Sequence, residues 1–204
     1  MLCLKVPTDA SWAAAAMSDA DAVLVDHAHC ELKAASNALS LAGRPTGDPE
    51  LAQALADIAR EEIEHFQRVV AVLASRRVAL GPPPVDEYAA ALRRAASALP
   101  RDPAIPTLVD RLLVAAVIEA RSCERFQLLA ASASGDAALQ DLWHELLASE
   151  ARHYRTFVDL AVRAAGGDRA SVVHRLDQLA AAEGAIVIAL AGGGDDSSRA
   201  TIHG

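Results

Sequence analysis

The sequence predicts an all-α protein, and three observations carry that expectation. Forty-seven of its 204 residues are alanine, the best helix former. Val, Ile, Thr and aromatic residues supply too few consecutive positions to build a sheet. Helix start and stop signals also punctuate the chain at intervals that leave several long segments between them.

Taken in order, Ser18 precedes a periodic segment expected to be helical over about 19–41, stopped by Gly43-Arg-Pro45-Thr-Gly47. Asp48-Pro49-Glu50 combines an N-cap, a proline at the first helical position and an acidic first turn, opening a helix over about 49–77. Gly81-Pro-Pro-Pro84 stops it, and a short helix is expected over about 86–99. The loop holding Pro100, Pro103 and Pro106 leads to helices over about 107–131, 136–165 and 171–191, then a flexible tail over 192–204. Four long helices thus come as two hairpins with short turns, separated by a connector that holds only the short helix. Short loops make antiparallel neighbours, and a long connector can cross the length of a bundle. The connectivity is that of a ferritin-like four-helix bundle, with the short and C-terminal helices added.

Length and composition bound the rest. A chain of 204 residues suits a single domain, 1–204, and 52% hydrophobic residues exclude disorder. The formal charge of −8 argues against coating nucleic acid by bulk electrostatics, while leaving room for a local basic patch. Cys3, Cys30 and Cys123 form no C-x-x-C pair, so they read as reduced thiols and the protein as cytoplasmic. The N-terminus, interrupted by Pro7 and Asp9, is no secretory signal, and no charge-free apolar run is long enough to span a membrane.

One constellation carries chemistry. Glu62 and His65 form an E-x-x-H pair, and Glu150 and His153 form another. Residues at i, i+3 share a helix face and can reach one ion. Glu31 lies 31 residues before Glu62, and Glu119 lies 31 residues before Glu150. The chain therefore repeats E-x30-E-x-x-H, one copy per hairpin, and equal arms bring each upstream Glu beside its pair. Each of these acids interrupts an apolar stripe: Leu24, Ala28 and Ala35 around Glu31; Leu55, Ile58 and Val69 around Glu62; Leu112, Ala116 and Phe126 around Glu119; Trp143, Leu146 and Phe157 around Glu150. Burying ionised carboxylates without partners costs several kcal/mol each. Two divalent cations offset four carboxylates, and mixed carboxylate–imidazole ligation suits iron or manganese. A solitary E-x-x-H is common on Ala/Glu-rich helices; two copies with equally spaced upstream acids are not.

Neighbouring residues divide into candidates and bystanders. His27, one turn before Glu31 on the same face, is either a donor behind the ligands or a distal-pocket group, or a satisfied core histidine. Glu124 points about 140° from Glu119 and reads as a salt-bridged outer residue. Glu61 and Glu64 are expected to face out or sideways. Cys30 and Cys123 read as packing residues. Tyr154 is either a radical or electron-transfer group or a packing residue at the site's edge. His29, His144 and His174 have no usable spacing.

The stretches DHAHCELKAASNALSL (26–41), AREEIEHFQRV (59–69), VDRLLVAAVIEARSCERFQLLA (109–130) and ASEARHYRTFVDLA (148–161) resemble the MiaE family. So do the ALGPP turn at 79–83 and the closing Ile-His-Gly. The family comprises ferritin-like diiron monooxygenases that hydroxylate 2-methylthio-N6-isopentenyladenosine in tRNA. The resemblance implies O2-dependent hydroxylation of the isopentenyl group on the adenosine next to the anticodon. It implies two iron ions held by Glu31, Glu62, His65, Glu119, Glu150 and His153, the same six residues that spacing singles out. Two external electrons imply a reductase or other electron donor, and the tRNA is the substrate partner of a monomer or small homo-oligomer.

Aromatic residues are scarce, so stacking platforms for bases are not expected. Arg93, Arg94, Arg101, Arg111, Arg121 and Arg125 concentrate basic character in the connector and the following helix, with Arg93, Arg94, Arg121 and Arg125 expected to meet tRNA phosphates. The alternatives are a bacterioferritin-like ferroxidase and a diiron oxidase acting on another substrate.

Overall fold

The computed structural model describes residues 2–192. They form α1 (Ala10–Ser18), α2 (Ala20–Ala42), α3 (Pro49–Ser75), α4 (Glu87–Ala98), α5 (Thr107–Ser132), α6 (Ala137–Ala164) and α7 (Arg169–Gly192), with no strand among the described residues. Backbone contacts divide them into two compact units, residues 18–85 and residues 2–17 with 86–192.

The first unit is the α2–α3 hairpin and the chain that follows it. Asp19 starts α2 by accepting from the Ala22 amide at 3.1 Å, so the cap is Asp19 and not Ser18. Asp48 starts α3 by accepting from the Glu50 and Leu51 amides, both at 3.1 Å, with Pro49 where a missing N–H costs nothing. Leu24, Ala28, Ala35 and Leu41 of α2 and Leu51, Leu55, Val69 and Leu73 of α3 are buried, a helical spacing on each rod. Arg76 Nε donates to Asp21 at 2.5 Å. His29 Nε2 lies 3.2 Å from the Gly81 carbonyl, which holds the proline-rich connector along α2.

The second unit pairs α5 with α6 and adds α1, α4 and α7. Asp86 and Asp136 cap α4 and α6 through the Ala89 and Leu139 amides at 3.0 and 3.1 Å. Gly135, at φ +105°, makes the turn between α5 and α6 in a backbone region that L side chains rarely adopt. Phe126 and Trp143 stack across the hairpin with centroids 5.5 Å apart.

A buried ionic cluster ties this unit together. Arg121, fully buried, donates Nε and Nη2 to the two Glu183 oxygens at 2.7 and 2.9 Å, and Nη2 to the Val6 carbonyl at 2.9 Å. Its Nη1 bonds Thr8 Oγ1 at 3.1 Å and pairs with Glu124, which accepts from the Thr8 amide at 3.0 Å. Tyr88 donates to Glu183 at 3.0 Å. The segment before α1 is thereby strapped onto α5 and α7. Its approach needs Gly184, where a Cβ would stand 2.7 Å from Val6 Cγ2.

One helix and two boundaries differ from those expected. α1 is an additional helix, begun by Asp9, whose carbonyl accepts from the Trp12 amide at 3.0 Å. α3 ends at Ser75 and not near 77, and α7 begins at Arg169 and not near 171. The tail expected over 192–204 lies outside the described residues apart from Gly192.

Candidate metal centre

Each hairpin brings two carboxylates and one imidazole together in its interior. On α2 and α3, Glu31, Glu62 and His65 are 3%, 1% and 7% exposed. Their ligand atoms lie within 4.8 Å of one another. His65 Nδ1 stands 3.1 Å from Glu62 Oε2 and 3.8 Å from Glu31 Oε1. On α5 and α6, Glu119, Glu150 and His153 are equally buried, and their ligand atoms likewise converge within 4.8 Å. The i, i+3 spacing places each His beside its Glu, and the hairpin turn brings the upstream Glu alongside. Solvated surface acids do not behave this way; these groups have been taken out of water at a cost that only a partner offsets.

The donor set suits a hard to borderline cation. Each group offers carboxylate oxygens and one imidazole nitrogen with no thiolate, the chemistry that iron or manganese accepts. Structural zinc wants four ligands dominated by Cys and His. The residues present therefore fit the metal that the sequence pattern implies.

The surroundings are specific. His27 Nε2 lies 2.8 Å from Glu31 Oε1, and both side chains are buried. Cys123 follows Glu119 by one turn, with Sγ 3.9 Å from the Leu147 carbonyl. Burial, reinforced by the Glu150 charge, pushes its thiol up to about 12. Glu61 is half-buried and Glu64 exposed, the latter paired to Arg60 at 2.6 Å.

Several expected placements are corrected. Arg121 and Arg125 are 0% and 5% exposed, so neither can meet a tRNA phosphate from where it stands. Arg121 is held in the ionic cluster, and Arg125 lies with its guanidinium carbon 4.8 Å from the Trp12 ring centroid. Burial opposes the Arg121 charge, but Glu183 and Glu124 outweigh it and raise its pKa. Glu124 is salt-bridged as expected but is an inner residue of that cluster. Tyr154 is half-buried and hydrogen-bonded to Cys3, and burial first, then Cys3, raises its pKa. Arg93 and Arg94 are exposed on α4.

Sequence reasoning missed Glu183 and Arg175. Glu183 is the lone acid of the apolar run 179–190, the very signal used for the four carboxylates above. Arg175 is 5% exposed and forks onto Asp110 at 2.8 and 3.1 Å.

Comparison with known proteins settles the family. The model described as tRNA-(MS[2]IO[6]A)-hydroxylase (MiaE) matches residues 1–193. The chain belongs to the MiaE family. Among MiaE relatives, the tRNA 2-(methylsulfanyl)-N(6)-isopentenyladenosine(37) hydroxylase of Pseudomonas putida is 41% identical over 180 residues, covering 88% of this chain and 84% of its own. The Salmonella typhimurium protein of the same name is 28% identical, covering 87% and 82%. The solved structure of Protein 43 with aldehyde deformylating oxygenase activity from Synechococcus matches this MiaE-family chain with a TM-score of 0.85. It is 39% identical and covers 100% of this chain and 96% of its own. The all-α, ferritin-like fold class expected from the hairpin pattern stands. No helix among the described residues is long and apolar enough to cross a membrane.

Proposed function

We propose that this chain hydroxylates the isopentenyl group of 2-methylthio-N6-isopentenyladenosine next to the anticodon of tRNA. The observation that supports this most directly is the pair of buried carboxylate–carboxylate–imidazole groups in a chain of the MiaE family. Glu31, Glu62, His65, Glu119, Glu150 and His153 would hold two iron ions. Bound iron supplies the capacity to reduce O2 and oxidise an unactivated or allylic C–H bond.

The net reaction consumes the C–H substrate, O2, two electrons and two protons, and yields the alcohol and water. The electrons come from an external donor, since no flavin or nicotinamide motif is visible in the sequence. The protein's own residues do the rest. Four carboxylates offset the metal charge. His27 orients the Glu31 carboxylate through the 2.8 Å contact. Buried Leu24, Ala28, Ala116, Leu146 and Phe157 exclude water from around the donors. Exposed Arg93 and Arg94 are proposed to contact tRNA phosphates, and the site of action is the cytoplasm, where tRNA is modified.

The test is mass analysis of nucleosides from tRNA carrying the unhydroxylated base, after incubation with iron-loaded protein, reductant and O2. One added oxygen, absent with Glu62→Ala and Glu150→Ala, is the expected result; none added, with iron bound and O2 consumed, overturns it. A second reading, oxygenase chemistry on another substrate, is favoured by the solved relative named for aldehyde deformylating oxygenase activity. Running the same incubation with a long-chain aldehyde separates the two. The ferroxidase alternative stands behind both, because the family matched over 1–193 is one of tRNA hydroxylases.

A further inference from the structure

Tyr154 joins the buried carboxylate–imidazole group of α5 and α6 to the segment before α1. It follows His153 directly on α6 and stands four residues after Glu150. At that spacing two side chains share a helix face with Cβ atoms about 5–6 Å apart, so one turn separates the phenol from a carboxylate proposed to hold iron. Tyr154 is half-buried, and its hydroxyl donates to the sulfur of Cys3, which is also half-buried. Leu2, the next residue outward, is exposed. A readily oxidised phenol and a readily oxidised thiol thus stand in line from the buried group to the surface.

The contact is held in place by its surroundings. Leu4, beside Cys3, is buried, Lys5 pairs with Asp177, and Arg121 Nη2 holds the Val6 carbonyl at 2.9 Å. The other groups of this chemistry lack such an outlet. Cys30 Sγ meets the Asp26 carboxylate at 3.9 Å and Cys123 Sγ meets the Leu147 carbonyl at 3.9 Å, and neither partner yields an electron. Tyr88 is fully buried and donates to Glu183. Burial also outweighs the Tyr154 contact at Cys3 and raises the thiol pKa. A thiol kept protonated attacks free peroxide slowly, because the thiolate is the nucleophile. It can still pass a hydrogen atom to the phenol it touches.

We propose that Tyr154 and Cys3 form a self-oxidation site, through which oxidising equivalents not used on a C–H substrate leave the α5–α6 group and are spent on the Cys3 thiol. Tyr154 gives up its hydroxyl hydrogen atom and regains one from the Cys3 S–H. Loss of a second electron from the sulfur, with oxygen taken from water, leaves Cys3 as the sulfenic acid. The thiol and one water thereby release two electrons and two protons. Together with two electrons from the external donor and two more protons, these reduce O2 to two waters. The net change is thiol, O2, two electrons and two protons to sulfenic acid and one water, the balance of the hydroxylation with S–H in place of C–H. The proposal rests on the iron and O2 reading of the site and is independent of which substrate the site takes.

The experiment incubates desalted, iron-loaded full-length protein with O2, ascorbate, catalase and dimedone, without tRNA. Catalase removes free peroxide, and dimedone traps sulfenic acid. The peptide over residues 1–5 is followed by mass against those holding Cys30 and Cys123. Cys3 is expected to be marked in wild type, and roughly tenfold more slowly in Tyr154→Phe, which keeps the ring and loses the O–H. Metal-free protein under the same conditions is expected to stay unmarked, as are Cys30 and Cys123 throughout. Iron content and melting temperature of Tyr154→Phe are expected to match wild type.

Iron bound and O2 consumed with Cys3 unmarked, or O2 consumed only when tRNA is added, overturns the self-oxidation site and leaves the reading of the metal site intact. Equal marking in wild type and Tyr154→Phe overturns the route through Tyr154 and makes Cys3 a thiol oxidised from solution. Iron-loaded wild type that consumes no O2 with or without tRNA overturns both.

Discussion

His27 and Glu31 stand one helical turn apart on α2, with Nε2 and Oε1 separated by 2.8 Å and both side chains 4% exposed. The contact couples a residue outside the proposed ligand set to a carboxylate within it. Such outer partners fix carboxylate orientation, and losing one costs roughly 10–100-fold in metal affinity. His27→Ala is therefore expected to weaken iron binding by about that factor, measured by competition with a chelator. His27→Gln, whose amide can reach the same oxygen, restores most of it. Equal loss in both variants, with helicity unchanged, makes His27 a packing residue.

The Arg121–Glu183 pair is expected to behave as a buried ion pair broken from one side. Arg121→Met leaves Glu183 charged and fully buried, costing on the order of 3–5 kcal/mol in urea unfolding. Arg121→Met combined with Glu183→Leu recovers much of that loss, because no unpaired charge is left behind. A double variant no more stable than the single one contradicts this account.

Cys123 gives a pH dependence. Its thiol, ordinarily released near 9, holds its proton to about 12 in the fold, because of burial first and the Glu150 charge second. The native state thus binds that proton more tightly than the unfolded chain. The group's effect on stability is absent below pH 9, and stability is lost as pH rises from there towards 12. At pH 9.5, alkylation of Cys123 in native protein is expected to be on the order of a hundredfold slower than in urea, read by peptide mass. Similar rates in the two states refute the shift.

Gly184 predicts a compensated pair. Gly184→Ala drives a methyl into Val6 and is expected to cost about 1–3 kcal/mol, since overpacking a closed contact forces one wall to move. Val6→Ala in the same chain relieves most of it. Thermal melts of the two single variants and the double close the cycle.

The residues that were legible from sequence share a local cause. Asp48 caps α3 through amides two and three residues away, so its role is written within one turn. Glu31, Glu62, Glu119 and Glu150 stood out because a charge interrupting an apolar stripe must be inside. Arg121 and Arg125 were misplaced because α5 buries 17 of its 26 residues, so almost no face of it points outward. On such a helix a charged residue is no guide to solvent. Apart from Glu124, their partners, Thr8, Val6, Glu183 and Trp12, are all more than 60 residues away, and nothing local announces a contact of that range. Tyr154 was ambiguous for the same reason, since its partner Cys3 belongs to the opposite end of the chain.

The strap before α1 also sets an order of events during synthesis. Lys5 bonds Asp177, 172 residues later, and the Val6 carbonyl and Thr8 wait on Arg121 and Glu183. At about 5–20 residues per second, this segment spends roughly 10–35 s outside the ribosome before its last partner is made. The earliest of these residues to emerge are among the latest to find their place. Closure of the α5–α7 unit thus waits on synthesis of Asp177 and Glu183, and a ribosome-stalled chain ending before Glu183 should expose the strap to protease.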